Sequence, residues 1–155
     1  MSIRTPMNVL IVEDEVLLAT ELGFLVEEAG CRQVGHAMSS DEALTLTSAL
    51  HPDLVLVDVH LSDGPTGVNV TRQIVNDRHA VALFMTANVL RLPVDFAGAC
   101  GVIGKPYSEH VVRAALRYLE AALRTGTAPG LPPVGLQLAP AWVVRWGLAD
   151  MLLSA

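Results

Sequence analysis

The segment LVLVDVH, residues 54–60, places four consecutive aliphatic residues directly before Asp58. A short apolar run that lacks the spacing of an amphipathic helix is typical of a strand buried on both faces. Similar runs occur at residues 9–12, 33–38, 80–85 and 101–103. The sequence therefore predicts five strands, most of them buried.

Segments with apolar residues at helical spacing lie between and after these runs. They are found near residues 15–29, from Ser39 or Ser40 onward, near 67–76, near 89–97 and over 108–123. Strands that alternate with helices imply right-handed crossovers and a parallel sheet covered on both faces. We therefore predict an α/β fold with a doubly wound, five-stranded parallel sheet, in which ligands bind at the carboxyl ends of the strands.

The chain is acidic and apolar, and both properties restrict what it can be. Its formal net charge is −6 and 52% of its 155 residues are hydrophobic, which favours one folded domain. Because it lacks a cluster of lysine and arginine, direct binding to nucleic acid is not expected. Cys31 and Cys100 lack the spacing of a metal site, and neither a signal peptide nor a membrane span is expected. These features favour a cytoplasmic protein.

The composition changes after residue 124. Residues 125–140 are rich in glycine and proline, which is typical of a linker. Residues 141–155 then carry Trp142 and Trp146 among leucines, and we expect a short helix entered through Pro140. Such an apolar segment must dock, because it would otherwise form an exposed apolar patch. Docking on its own domain and contact with a second copy both meet this need, and we expect the second, a homodimer contact.

Side chains of complementary chemistry follow the predicted strands. They are Glu13 and Asp14 after the first strand, Asp58 at the end of the third, Thr86 at the end of the fourth and Lys105 after the fifth. The carboxyl ends of parallel strands meet at one edge of the sheet, so these groups are expected to form one site. Crowded carboxylates repel one another unless a cation intervenes, and Mg²⁺ prefers such hard oxygen ligands. We therefore predict a Mg²⁺ site there.

The same constellation is suited to phosphoryl transfer. Asp58 is the best candidate nucleophile, because an aspartate can accept phosphate covalently while a metal neutralises the transferring group. Lys105 would supply a positive charge and Thr86 a hydroxyl for the phosphoryl oxygens. Lys105 is the only lysine in the chain, which favours a site role over a role in surface solubility.

Four segments, in order and at the right separations, resemble the signature of the bacterial response-regulator receiver domain. They are VLIVEDE at residues 9–15, LVLVDV at 54–59, MTA at 85–87 and GKPY at 104–107. The resemblance covers about residues 7–124 and implies the flavodoxin-like strand order 2-1-3-4-5. The expected organisation is a receiver domain over residues 1–124, a linker over 125–140 and a hydrophobic C-terminal segment over 141–155.

The resemblance also implies a role for each site residue. Asp58 matches the phosphoacceptor, while Thr86 and Lys105 match the pair that closes on the phosphoryl group. Mg²⁺ would be held directly by Asp14 and Asp58, mostly through water by Glu13, and by the backbone carbonyl of His60. The phosphoryl group would come from a sensor histidine kinase or a phosphotransfer protein. The protein would then catalyse only its own phosphorylation and dephosphorylation.

One residue departs from the family pattern, and two other functions compete. Val102 lies three residues before the lysine, where the family usually has the tyrosine or phenylalanine that rotates on activation. A metal-dependent phosphatase of the haloacid dehalogenase type needs a second acid two residues after the first, but His60 lies there. The other alternative is a receiver-like interaction module that is not phosphorylated. The segment after residue 124 is too short for a DNA-binding or catalytic domain, so we expect signalling by protein contact.

Overall fold

A six-stranded sheet runs through the computed structural model, which describes residues 5–150. Its strands are β1 (Asn8–Val12), β2 (Arg32–Ala37), β3 (Leu54–Asp58), β4 (Val81–Thr86), β5 (Gly101–Gly104) and β6 (Leu136–Leu138). The order across the sheet is β2-β1-β3-β4-β5-β6. The first five strands are parallel to their neighbours, as predicted, and β6 pairs antiparallel with β5.

Helices cover both faces of this sheet, and alternation along the strands explains why. In β1, Val9 and Ile11 belong to one buried layer, whereas Leu10 and Val12 belong to the other. The helices are α1 (Val16–Glu28), α2 (Ser40–Leu50), α3 (Gly67–Arg78), α4 (Glu109–Thr125) and α5 (Pro140–Arg145). Helices α1 and α4 contact each other over the layer of Val9, and α2 contacts α3 over the layer of Leu10. The doubly wound α/β fold is confirmed.

The prediction of a helix near residues 89–97 is wrong. Two short 3-10 turns, Val89–Arg91 and Phe96–Gly98, connect β4 to β5 instead. Pro93 lies between the turns, and a proline both lacks an N–H and disfavours helical backbone in the residue before it. Leu92 is accordingly extended, with φ −70° and ψ 147°.

The interpretation of residues 125–140 as a linker needs correction. Leu136–Leu138 forms the sixth strand, and the chain before it is attached to the domain. The hydroxyl of Tyr118 in α4 donates to the carbonyl of Gly130 at 2.8 Å, and the N–H of Ala128 donates to the carbonyl of Trp146 at 3.2 Å. Glycine and proline here permit a folded path along the domain surface.

The C-terminal segment docks on its own domain. The predicted helix is present but short, at Pro140–Arg145, and residues 151–155 of the expected segment lie outside the described residues. Trp146 and Leu148 are only 3% and 1% exposed and belong to the same buried layer as α1 and α4. Because these apolar side chains are covered within the chain, the reason for expecting a homodimer contact is removed.

We expect Trp146→Ala to lower the free energy of unfolding by about 3–5 kcal/mol, the usual cost of truncating a buried aromatic side chain. Val144 on α5 is 70% exposed, so Val144→Ala is the matched control and should change stability by less than about 0.5 kcal/mol. Urea unfolding gives both values. A midpoint that rises with protein concentration would instead indicate a contact between copies.

Candidate functional site

Three carboxylates meet at the carboxyl edge of the central strands. Asp58 is the last residue of β3, and Glu13 and Asp14 follow directly after the neighbouring β1. One ligand oxygen from each of the three lies within 4.8 Å of the others. Glu13 is 1% exposed, so its carboxylate is almost fully removed from water. The sequence prediction that these acids come together is consistent with this geometry.

Lys105 connects two of these carboxylates. Its ammonium Nζ lies 3.2 Å from Glu13 Oε2 and 3.0 Å from Asp58 Oδ2. The backbone N–H of Lys105 donates to the carbonyl of Thr86 at 2.8 Å, which fixes the start of the loop after β5 against the end of β4. The lysine is therefore positioned by the sheet, and its charge is directed at the acid cluster.

Burial and charge change the protonation of this cluster. The pKa of Glu13 is raised from 4.5 to about 7, because burial of the carboxyl group and then the charge of Asp58 disfavour ionisation. Burial alone would lower the pKa of Lys105, but its hydrogen bonds and ion pairs with Asp58 and Glu13 outweigh that effect and raise the pKa. The site therefore places a protonated ammonium beside two carboxyl groups whose simultaneous ionisation is disfavoured.

Thr86 and His60 line the same cleft. This cleft has a volume of about 340 Å³, and its wall is formed by Asp14, Glu15, Asp58, His60, Thr86, Ala87, Asn88 and Lys105. The hydroxyl oxygen of Thr86 accepts a hydrogen bond from the N–H of Asn88 at 3.1 Å, so its proton is free to donate to another group. The N–H of His60 donates to Asp58 Oδ1 at 3.3 Å. The role of the His60 carbonyl as a metal ligand stays a prediction.

The loop after Asp58 is held close to the sheet by a glycine. A Cβ at Gly67 would lie 2.2 Å from the carbonyl oxygen of Asp58 and 2.5 Å from the Cα of Val59. The N–H of Gly67 donates to the Val59 carbonyl at 2.9 Å. The side chain of Asp63 in the same loop accepts hydrogen bonds from Ser40 and Thr66. These contacts keep α3 and its preceding loop against the acid cluster.

The sequence interpretation did not find His36. Its Nε2 lies 2.6 Å from the backbone carbonyl of Glu13, so the ring orients the peptide that carries the buried acid. His36 belongs to β2 and is paired with Ile11, two residues before Glu13. The alternation of β2 alone could not identify it, because this contact depends on the pairing register between two strands.

The donor set fits Mg²⁺. Three carboxylates offer hard oxygen ligands within one short span, and the pKa of Glu13 is raised by burial and then by the charge of Asp58, both of which a bound divalent cation would offset. Glu13, Asp14 and Asp58 are the residues that would hold the ion. Among residues 5–150, these three acids form the one group of potential ligands whose ligand atoms are close enough together to share a metal ion.

Comparison with known proteins identifies the family. The profile of the response regulator receiver domain matches residues 9–117, and the chain therefore belongs to that family. The transcriptional regulatory protein PdtaR of Mycobacterium tuberculosis is 35% identical over 106 residues, which cover 66% of this chain and 51% of PdtaR. The chain thus spans at most about half the length of the curated relatives that it matches first.

Solved structures agree with the fold. The receiver domain of the response regulator PhyR from Erythrobacter litoralis has a TM-score of 0.64 and 28% identity, and the match covers 83% of this chain and 97% of that one. A two-component response regulator of the LuxR family from Aurantimonas has a TM-score of 0.65 and 23% identity, with 96% and 99% coverage. The second match shows the fold alone, but it extends over nearly the whole chain. Within residues 5–150, no helix is both long and apolar enough to span a bilayer.

We expect the stability of the apoprotein to fall as the pH rises from about 4.5 to 7. The folded protein retains a proton on Glu13 that the unfolded chain has already lost in this window, so the unfolded state gains relative stability with rising pH. Glu13→Gln should remove this slope and exceed the wild type in free energy of unfolding by about 1–3 kcal/mol at pH 8. Urea unfolding without divalent cations, at several pH values, measures the difference.

Glu21→Gln is the control for this experiment, because Glu21 is an exposed acid on α1. It should leave the pH dependence of the wild type intact. If Glu13→Gln followed the wild type at every pH, the proton uptake would have to be assigned to another group.

Proposed function

We propose that the chain is a phosphorylation-dependent response regulator that accepts a phosphoryl group on Asp58 from a sensor histidine kinase or a phosphotransfer protein. The observation that carries the proposal is the position of the Lys105 ammonium, 3.0 Å from Asp58 and 3.2 Å from Glu13, in a cleft that Thr86 also lines. Membership of the receiver family supports the same function.

The transfer makes one bond and breaks one. An oxygen of Asp58 attacks the phosphorus of a phosphohistidine, a P–O bond forms, and the P–N bond breaks with its electron pair on the imidazole nitrogen. Lys105 stabilises the negative charge on the phosphoryl oxygens, and the Thr86 hydroxyl donates a hydrogen bond to one of them. Hydrolysis of the acyl phosphate by water then returns Asp58 to its carboxylate.

Glu13, Asp14 and Asp58, with the backbone carbonyl of His60, are the groups that would hold Mg²⁺. A bound divalent cation supplies positive charge that offsets the carboxylates and the incoming phosphoryl group. Without it, attack by Asp58 on a phosphorus that already carries anionic oxygens is opposed by charge repulsion. Asp14 and Asp58 are the partly exposed members of the set and both line the cleft, so a phosphodonor approaches Asp58 through this cleft.

We also propose that the protein acts in the cytoplasm and passes on its signal by contact with another protein. The family profile matches residues 9–117, and the described chain after them packs onto that domain through Leu136, Leu138, Trp146 and Leu148. A homodimer through the C-terminal segment is not included, because Trp146 and Leu148 are buried within the chain. The alternative, a receiver-like module that is not phosphorylated, would not require the ion pair of Lys105 with Asp58.

We expect Asp58→Asn to abolish labelling by acetyl phosphate in the presence of Mg²⁺, because the side-chain amide is not nucleophilic enough to attack phosphorus. Intact mass should show one added phosphoryl group on the wild type and none on the variant, and the adduct should be released by hydroxylamine, as an acyl phosphate is. Asp41→Asn, which changes an exposed acid in the first turn of α2, should label like the wild type. Equal labelling of Asp58→Asn and the wild type would exclude Asp58 as the acceptor.

We expect Asp14→Asn to weaken Mg²⁺ binding by at least about tenfold, which corresponds to roughly 1.4 kcal/mol. The stability of its metal-free form should stay level or rise, because one of several crowded charges is removed. Calorimetric titration and urea unfolding measure the two effects. Asp77→Asn, which changes an exposed acid near the end of α3, should bind Mg²⁺ like the wild type, and unchanged affinity in Asp14→Asn would place the metal elsewhere.

A further inference from the structure

The segment of residues 135–148, which we call the strap, closes the edge of the sheet next to the site. Its strand β6 pairs with β5 from Gly101 to Ile103, and the N–H of Ala139 donates to the carbonyl of Cys100 at 2.8 Å. The fit is tight, because a Cβ at Gly101 would lie 2.4 Å from the carbonyl oxygen of Gln137. The strap is therefore a built part of the sheet.

Trp142 of the strap packs against both buried layers. It packs against the layer that contains Trp146, and also against the layer that contains Val102. The rings of Trp142 and Trp146 meet edge to face with centroids 5.0 Å apart, and the guanidinium of Arg145 covers Trp142 at 4.5 Å. An aromatic ring from the strap thus packs against the layer of Val102, the position of the family's usual aromatic.

The turn after β4 contacts both the layer of Val102 and the site residue Thr86. Val89 and Leu92, from the turn after β4, pack against this layer as Trp142 does. The preceding residue, Asn88, donates its N–H to Thr86 Oγ1 at 3.1 Å. Val89 also lies at the end of β5, where its Cγ2 is 3.6 Å from the position a Cβ would take on Gly104. The Thr86 hydroxyl is therefore hydrogen-bonded to the residue that precedes the turn, and the turn and Trp142 pack against the same buried layer.

The turn is weakly supported apart from these contacts. The chain from β4 to β5 forms two short 3-10 turns where a helix was predicted, and Leu90 and Val94 are 97% and 91% exposed. Few backbone hydrogen bonds and few buried side chains make a segment easy to displace. Displacement of this turn therefore does not require a helix to unfold.

We propose that the strap is released from the β5 edge when Asp58 is phosphorylated, with Trp142 sensing Thr86 through the turn at Val89–Arg91. The proposal rests on the proposed function. When the phosphoryl group draws the Thr86 hydroxyl toward Asp58, the displacement of Oγ1 lengthens its hydrogen bond from the Asn88 N–H and the turn loosens. Val89 and Leu92 then lose packing contacts with the layer against which Trp142 packs. The strap is consequently docked less strongly.

Thermodynamic linkage requires the effect to be reciprocal. If the phosphorylated state weakens docking of the strap, then weakening the docking must favour the phosphorylated state by the same factor. Trp142→Ala removes the ring that packs against both layers. Gly101→Ala is a second, independent way to displace the strap, because it introduces a contact with the backbone of Gln137 and leaves Trp142 in place.

Hydrogen exchange and an equilibrium titration test the proposal with the full-length protein. Beryllofluoride with Mg²⁺ serves as the probe for the phosphorylated state. In the wild type it should lower the exchange protection of the Ala139 N–H by at least about fivefold, within the usual range of allosteric coupling. The Arg32 N–H, which bonds the Met7 carbonyl at the opposite edge of the sheet, should keep its protection.

The titration, followed by fluorine NMR, should show that Trp142→Ala and Gly101→Ala bind beryllofluoride at least about fivefold more tightly than the wild type. Val144→Ala, on the exposed side of α5, should bind like the wild type. If the wild type binds the probe but Ala139 keeps its protection and the variants keep its affinity, the strap proposal is overturned and the proposed function stands. If the wild type does not bind the probe, the proposed function is overturned and the strap proposal with it.

Discussion

The ion pair of Lys105 with Glu13 and Asp58 is the interaction on which the site depends. Removing two carboxylates from water costs free energy unless a cation compensates, and the burial of Glu13 makes this cost large. The single lysine of the chain supplies that cation from the end of β5. The position of β5 relative to β1 and β3 is therefore a functional requirement, because a shift of the strand would separate the charges.

The same arrangement explains why the proximity of these side chains was predictable from the sequence. Each site residue follows a short apolar run, and parallel strands bring such positions to one edge. The contact of His36 with the Glu13 carbonyl was missed, because it depends on the register between β1 and β2, which alternation does not specify. The wrong helix at residues 89–97 has a local cause, since apolar spacing outweighed the effect of Pro93.

The strap was missed for a different reason. Three residues, Leu136–Leu138, form a strand only because the edge of β5 is available to them. A stretch with prolines and glycines on both sides gives no local sign of such pairing, and composition alone indicated a linker. Trp142 and Trp146 were correctly expected to dock, but whether they would dock within the chain depended on the path of residues 126–135, which the sequence pattern does not determine.

The sixth strand also changes how the sheet ends. Without it, the apolar strand β5 would present unpaired backbone groups to any extended chain, which is the geometry from which aggregation grows. The strand β6 is only three residues long and is followed closely by Pro140, whose nitrogen has no hydrogen to donate. The fold therefore ends in an edge that is poorly suited to further strand addition. A state in which the edge of β5 is uncovered should be less soluble at high concentration. A signal that displaces β6 would therefore also increase the tendency of the protein to aggregate.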